Sequence, residues 1–311
     1  MSKHISVLLN ESIDLLNIKA NGVYVDLTLG RGGHSKEILR RIPCGRLYAF
    51  DKDEDAIKES SENLSNFENK TIIREDFRNF KEALASFGVT KVDGILMDLG
   101  VSSPQFDESD RGFSYKEEAR LDMRMDKRQS LDAYQVVNTY SLKKLTDIFH
   151  RYGEEKFAYV IAKRIVKERE NHPIETTTQL AEIVKASKPM KELLKKGHPA
   201  KQVFQAIRIE VNDELGALEI ALKDGLEMLS EGGRLVVITF HSLEDRIVKN
   251  AFNNVAKIEG NRHFVFALPS KEEQPKYKLI NNKVIIASGT ELENNPRSKS
   301  AKLRAIERSR L

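Results

Sequence analysis

Residues 23–35 read VYVDLTLGRGGHS. Val23 to Leu27 is an apolar run of strand length, Gly30, Gly32 and Gly33 supply a turn, and His34-Ser35 opens a helix. A strand, a glycine turn and a helix start build a nucleotide site, because glycine lets the backbone approach a ligand and the helix end offers free N–H groups. The spacing narrows the ligand. Gly30 and Gly32 fit G-x-G-x-x-G, but Ser35 stands at the third glycine, so the dinucleotide fingerprint is not met. No G-x-x-x-x-G-K-[ST] phosphate loop occurs either.

Outward from that stretch, strands and helices alternate. Arg46 to Asp51 (RLYAFD), Lys70 to Arg74 (KTIIR) and Val92 to Asp98 (VDGILMD) read as strands two to four. Ser35 to Ile42 reads as one helix, and Asp53 can cap another that runs to about Leu64. This order predicts an α/β fold with a doubly wound, Rossmann-like parallel sheet. A fifth strand, Arg234 to Phe240 (RLVVITF), follows a helix over about Asp213 to Leu229, for which Gly232-Gly233 makes a C-cap. SLED (residues 242–245) then starts a helix to about Asn254 in the manner of a capping box. His263 to Ala267 and Lys283 to Ser288 are expected to form a final strand pair.

More than a hundred residues separate strands four and five, where one crossover helix would suffice. Phe157, Ile161 and Ile165 recur every four residues there, as do Val203, Ile207 and Val211. The expected organisation is a core built from residues 1–106 and 213–311, with an inserted helical domain for substrate recognition over residues 107–212.

The acids at the strand ends suggest the ligand. Asp51 ends strand two, where a carboxylate can accept both ribose hydroxyls, and Asp76-Phe77 follows strand three, suited to an adenine edge and face. The alternative is that both aspartates are strand-end turn residues. No basic residue stands out to hold a pyrophosphate, and acids with glycines but no phosphate clamp suit a sulfonium nucleoside, S-adenosylmethionine. Strand four ends in Asp98-Leu-Gly-Val-Ser-Ser103-Pro104-Gln105-Phe106. A polar-Ser-Pro segment there resembles the [SDN]-P-P-[YF] signature of amino-group methyltransferases. An exocyclic amine such as cytosine N4 is conjugated with its ring, and acceptors around its N–H bonds favour the pyramidal form that can attack. Asp98, or a backbone carbonyl near Ser103, could supply them, with Asp98 the preferred proton acceptor and loss to water the alternative. Carbon methylation would need a Pro-Cys nucleophile, and Pro43-Cys44 precedes strand two, at the wrong edge of the sheet.

The chain has 311 residues, 40% hydrophobic and 32% charged, which argues against long disorder and membrane spans. A single cysteine, the lack of a signal-peptide core near the N-terminus and the absence of H-x-x-x-H or C-x-x-C pairs predict a cytoplasmic protein with no metal centre. Net charge is only +4, yet residues 186–208 and 296–311 each carry six basic residues against one acid. Two basic patches on a mildly acidic body point to a polyanionic partner.

DGILMDLGVSSPQFDESDRGF (93–113) and LDMRMD (121–126) resemble the bacterial 16S rRNA cytosine-N4 methyltransferases, the RsmH or MraW family. YGEE (152–155), FQAIRIEVNDE (204–214), TFHSLEDRIV (239–248) and NPRSKSAKLR (295–304) agree with it, in order along nearly the whole chain. The resemblance implies a class I S-adenosylmethionine-dependent core and methyl transfer to a cytidine at the P site of the ribosomal decoding centre. It implies that Gly32, Gly33, His34, Asp51, Phe77, Asp98 and Gln105 line the cofactor pocket; the strand-four tip itself is expected to carry the chemistry through Asp98, Ser103 and Pro104. Two departures stand out: Glu118-Ala119-Arg120 replaces an Asp/Asn-Gly-Pro, and Gln202 replaces an arginine.

RNA is expected between the insertion, through Lys195, Lys196, Lys201 and Arg208, and the C-terminal tail, through Arg297, Lys299, Lys302 and Arg304. Phe106 and Phe113 are either base-stacking residues or core; Arg124 is expected to pair with Asp122 or Asp126; His241 has no assigned role. A homodimer stays open, because no heptad or apolar stripe argues for it. Other readings are a methyltransferase acting on DNA or protein nitrogen, and an RNA-binding assembly factor that holds the cofactor without turnover.

Overall fold

The structure, a computed structural model, describes residues 5–100, 109–256 and 275–310. The chain forms two compact units, Met1–Gly100 with Gly216–Leu311, and Val101–Leu215.

The first unit is built on a seven-stranded sheet: β1 (Val23–Asp26), β2 (Arg46–Asp51), β3 (Lys70–Arg74), β4 (Val92–Asp98), β5 (Leu229–Thr239), β6 (Tyr277–Leu279) and β7 (Lys302–Arg308). The spatial order is β3-β2-β1-β4-β5-β7-β6. The first five are parallel, and β7 runs antiparallel between β5 and β6. The inner strands are apolar on both faces, as a sheet covered on both sides requires. Val25, Ile95, Met97, Leu235 and Val237 pack to one face with Leu218 and Leu222 of the helix Glu214–Met228. Tyr24, Leu96, Val236 and Ile238 pack to the other, with Ile13 and Leu16 of Leu9–Leu16 and Ile38 of Gly33–Arg41. Gly94 is needed inside β4 because the Tyr24 ring lies 2.7 Å from where its Cβ would stand. The chain winds from β1 out to β3 and then returns to the other side of β1, so the strand order reverses between β1 and β4. In open α/β sheets the ligand crevice lies at such a reversal, beyond the carboxyl ends of the strands.

The second unit is helical. Ala133–Thr139, Leu142–Arg151, Ala158–Asn171, Thr177–Ala186, Met190–Leu193 and Lys201–Asn212 surround a core containing Phe149, Ile161, Ile165, Val203 and Ile207. Asp132, Ser141 and Thr176 cap three of these helices through their side-chain oxygens.

Three local expectations are corrected. Gly232-Gly233 is no C-cap. Helix Glu214–Met228 runs straight into β5, and pairing steps from Val92↔Leu229 to Gly94↔Arg234, so the two glycines lie in a bulge, with Gly232 at φ +74°. The capping box is shifted by one residue: His241, not Ser242, is the N-cap of Ser242–Val255, with Glu244 as its reciprocal partner. Lys283 to Ser288 forms no strand, only the bridge Ile285↔Leu303, while β6 and β7 make the antiparallel end. His263 to Ala267 lies outside the described residues.

Candidate active site

The carboxyl ends of β1 and β4 flank the reversal, and the polar groups there interlock. Asp26 ends β1 and is buried; its Oδ1 accepts the Thr28 N–H at 3.1 Å and its Oδ2 the Ser35 hydroxyl at 2.7 Å. These bonds tie the strand end to the turn and to the helix that follows. Gly32 takes φ +78° as N-cap of Gly33–Arg41 and, having no side chain, contributes no side-chain cap to the first N–H groups of that helix. Burial pushes the Asp26 carboxyl up, against the pull of its Ser35 and Thr28 donors.

Asp51, at the end of β2, reaches across to the same turn. Its Oδ2 accepts Gly30 N–H and its Oδ1 accepts Asp53 N–H, both at 2.9 Å. Burial pushes this carboxyl up to about 6, although both backbone donors act to lower it. Each oxygen keeps a lone pair for a further donor such as a ribose hydroxyl. Asp76 is otherwise engaged: it caps the short turn Phe77–Asn79 through Arg78 N–H and pairs with Lys52 Nζ at 3.2 Å. Burial alone would raise its carboxyl, but Lys52 and the Arg78 donors bring it below its ordinary value. Phe77 beside it is half-buried and packs on the sheet core.

Asp98 closes the site from the β4 side. Its N–H donates to Thr28 Oγ1 at 2.6 Å, locking the strand end to the glycine turn. Its Oδ2 lies 3.6 Å from His34 Nδ1, and His34 Nε2 meets Val7 O at 3.1 Å. Oδ1 is buried without a hydrogen-bond partner. Burial pushes this carboxyl well above the usual range, and the negative Asp26 and Glu244 push it further. A buried carboxyl oxygen without a donor is costly unless a ligand supplies one.

His241, just past β5, lies at the same edge of the sheet. Its Nδ1 accepts Glu244 N–H at 3.4 Å. Its Nε2 is buried 3.1 Å from Glu244 Oε1, at an angle that makes no hydrogen bond. Glu244 Oε2 accepts Phe240 N–H at 2.8 Å. Sequence reasoning missed Asp26, Thr28 and Ser35 as polar parts of this edge; it placed His241 near the pocket by topology but missed its cap with Glu244. The D-x-T spacing of an Asx-turn was the available signal for the first two.

The structure thus brings Gly32, Gly33, His34, Asp51, Phe77 and Asp98 to one end of the sheet. Ser103, Pro104, Gln105 and Phe106 lie outside the described residues. Phe113 is no base-stacking residue: it is 4% exposed and belongs to the helical core, with the Arg111 guanidinium 6.0 Å from its ring. Arg124 pairs with Asp122 at 2.7 Å. Cys44 is exposed before the first residue of β2, at the opposite edge from the acids.

The basic residues divide into free and engaged. Lys196 and Lys201 are exposed, and Lys195 is exposed but paired with Glu192 at 2.7 Å. Arg208 is not available for phosphate: Glu214 holds its guanidinium from two oxygens at 2.8 and 2.9 Å, with both side chains largely buried. Lys302 and Arg304 are likewise committed, both to Asp245, at 3.1 and 2.7 Å. Arg297 and Lys299 are exposed on the turn Pro296–Ser300. Because Lys302 pairs with Thr239 across the antiparallel ladder, this turn emerges at the carboxyl end of β5.

A nucleoside cofactor fits these residues. Asp51 has lone pairs left for a ribose, the glycine turn has no side chain of its own at Gly30, Gly32 and Gly33 to bar a close approach, and Asp98 Oδ1 lacks a donor.

Among known proteins, the family model described as the MraW methylase family matches residues 1–309. A ribosomal RNA small subunit methyltransferase H of Streptococcus pyogenes serotype M4 (strain MGAS10750) is 50% identical over 311 residues, 99% of this chain and 98% of that protein. A candidate rRNA methylase of Clostridium thermocellum aligns in structure with TM-score 0.46 and 14% identity, over 98% of this chain and 100% of that one. An rRNA methylase of Streptococcus thermophilus aligns with TM-score 0.42 and 12% identity, over 99% and 100%. At these TM-scores the fold is read from the sheet itself and the family from sequence. A match along nearly the full length, with every second residue identical to a small-subunit methyltransferase, means that the chain belongs to the MraW methylase family.

Proposed function

We propose that this protein transfers a methyl group from S-adenosylmethionine to N4 of a cytidine in the decoding centre of 16S rRNA, acting in the cytoplasm on the small ribosomal subunit. The observation that carries this reading is Asp98, with a buried oxygen lacking a donor at the sheet's point of reversal, beside the open glycine turn. The substrate is carried by the likeness to a small-subunit rRNA methyltransferase. Among the described residues no helix is long and apolar enough to cross a membrane.

Asp51 and the 30–34 turn would hold the cofactor, which supplies an electrophilic methyl group on a sulfonium. The remaining work falls to the chain. Cytosine N4 is a poor nucleophile until its lone pair leaves ring conjugation, and an acceptor on its N–H favours that change. Asp98 would provide the acceptor. Its raised affinity for protons, caused by burial and by Asp26 and Glu244, makes it a stronger base than an ordinary aspartate. His34 Nδ1 lies 3.6 Å from Oδ2, which leaves Oδ1 as the carboxyl oxygen with no donor near it. Thr28 fixes the Asp98 backbone to the turn, which keeps acceptor and methyl donor in one frame.

The test supplies purified protein with labelled S-adenosylmethionine and small subunits from a strain lacking the gene, followed by nucleoside mass spectrometry. N4-methylcytidine confined to the decoding centre is the expected product. Cofactor binding without any labelled RNA would rule out this function.

A further inference from the structure

Tyr115 and His198 stack in the helical unit, with ring centroids 4.2 Å apart and planes 13° from parallel. Phe204 meets Tyr115 edge-on at 5.6 Å and anchors the pair to the helix Lys201–Asn212. Both stacked rings are half-buried, and no second ring covers His198 among the described residues. Three exposed lysines adjoin the pair along the chain: Lys116 follows Tyr115 and acts on the His198 ring, Lys196 lies two residues before His198, and Lys201 donates its backbone N–H to His198 O at 3.1 Å. None of the three has an ion pair among the described residues. Lys185 and Lys188 also face the ring, against the single acid Glu182, and Lys188 is committed to Glu155 at 2.6 Å. Burial, then Lys185, lowers the proton affinity of His198, so at neutral pH it presents an uncharged aromatic face.

We propose that the Tyr115–His198 stack is a platform for an unpaired base of single-stranded RNA, with Lys116, Lys196 and Lys201 holding the phosphates on either side. An uncharged flat ring beside unpaired lysines of the neighbouring chain matches a base between phosphates. An acidic peptide would use the lysines and leave the stack without a purpose. The proposal rests on RNA being the substrate, and it adds a docking point for a strand outside the reacting cytidine.

The test measures binding of a labelled single-stranded RNA of about twelve nucleotides to the full chain by fluorescence anisotropy over a salt series. Stacking on an aromatic side chain is worth about 1–3 kcal/mol per base, so His198→Ala should weaken binding roughly 5- to 160-fold with the salt slope unchanged. His198→Phe should restore most of the loss, and Lys196→Gln with Lys201→Gln should lower the slope by about 0.7 per lost phosphate contact. Thermal unfolding of each variant checks that the fold is retained. Wild-type affinity in a folded His198→Ala, or failure of His198→Phe to rescue, overturns the platform and leaves RNA as the substrate. A wild-type chain that binds S-adenosylmethionine but no RNA overturns both. Displacement of the RNA by an acidic peptide at a far lower concentration than by the same unlabelled RNA assigns the surface to a protein instead.

Discussion

The acids that end β1, β2 and β4 and the paired acids of the helical unit are treated in opposite ways, while Asp76, after β3, follows the helical unit's pattern through Lys52. In the helical unit, Asp122 is matched to Arg124 and Glu155 to Lys188, and Arg124 brings the Asp122 carboxyl below its ordinary value. At the carboxyl end of the sheet, Asp26, Asp51 and Asp98 are held by hydroxyls and backbone N–H groups or left without a donor, and all three are pushed up. The first arrangement fixes loops. The second keeps proton-accepting capacity for something that arrives later. The same residue type thus separates scaffold from site by whether a cation was placed beside it.

The sharpest way to break this contrast is Asp98→Asn. It should cut methyl transfer about 10²- to 10⁴-fold, the range of a lost general base, without lowering the melting temperature. Labelled-methyl turnover together with calorimetry checks both halves, and near-wild-type turnover would remove Asp98 from the chemistry. Lys188→Met tests the other side. Glu155 and Lys188 are 1% and 6% exposed, so losing the cation should cost about 3–5 kcal/mol in denaturant unfolding, because a buried carboxylate is left alone.

A smaller effect tests Asp51. Its proton is bound more tightly in the folded chain, so its contribution to stability is full below the ordinary carboxylate value and is lost as pH rises through about 6. Cofactor affinity should run the other way, because only the ionised carboxylate accepts from both ribose hydroxyls. It should fall by up to about tenfold per pH unit below that value, measured by titration calorimetry from pH 5 to 8. A flat profile would mean that Asp51 only holds the turn. The smallest effect is expected of His241→Ala, which removes the cap of Ser242–Val255 at a cost of about 1 kcal/mol in unfolding. His241→Asn should restore the cap. If it restores stability but not turnover, the buried Nε2 serves the reaction as well.

The strands were legible because buried parallel strands are runs such as VYVDL and VDGILMD, set by local composition. The glycine turn, Asp51 and Asp98 were legible because each stands at or just past the end of an apolar strand run in the sequence. What was hidden depends on partners distant in sequence. Nothing near Arg304 announces Asp245, and Phe113 reads equally as ligand or core until Leu121 and Phe149 enclose it. Gly232-Gly233 has the local signature of a helix stop, yet the pairing of β4 with β5 makes it a bulge. His241 hides for a different reason, since an imidazole rarely takes a capping place where Ser242 stands ready.

The position of β7 has a consequence for the life of the chain. Among the described residues β6 joins the sheet only through β7, and β7 lies inside the order, against β5. During synthesis, β5 therefore emerges with one row of N–H and C=O groups bare, and keeps it bare until residues 302–308 leave the ribosome. An interrupted or trimmed polypeptide carries a sticky, aggregation-prone flank, which makes intact translation of the last strand a condition for solubility as well as for shape.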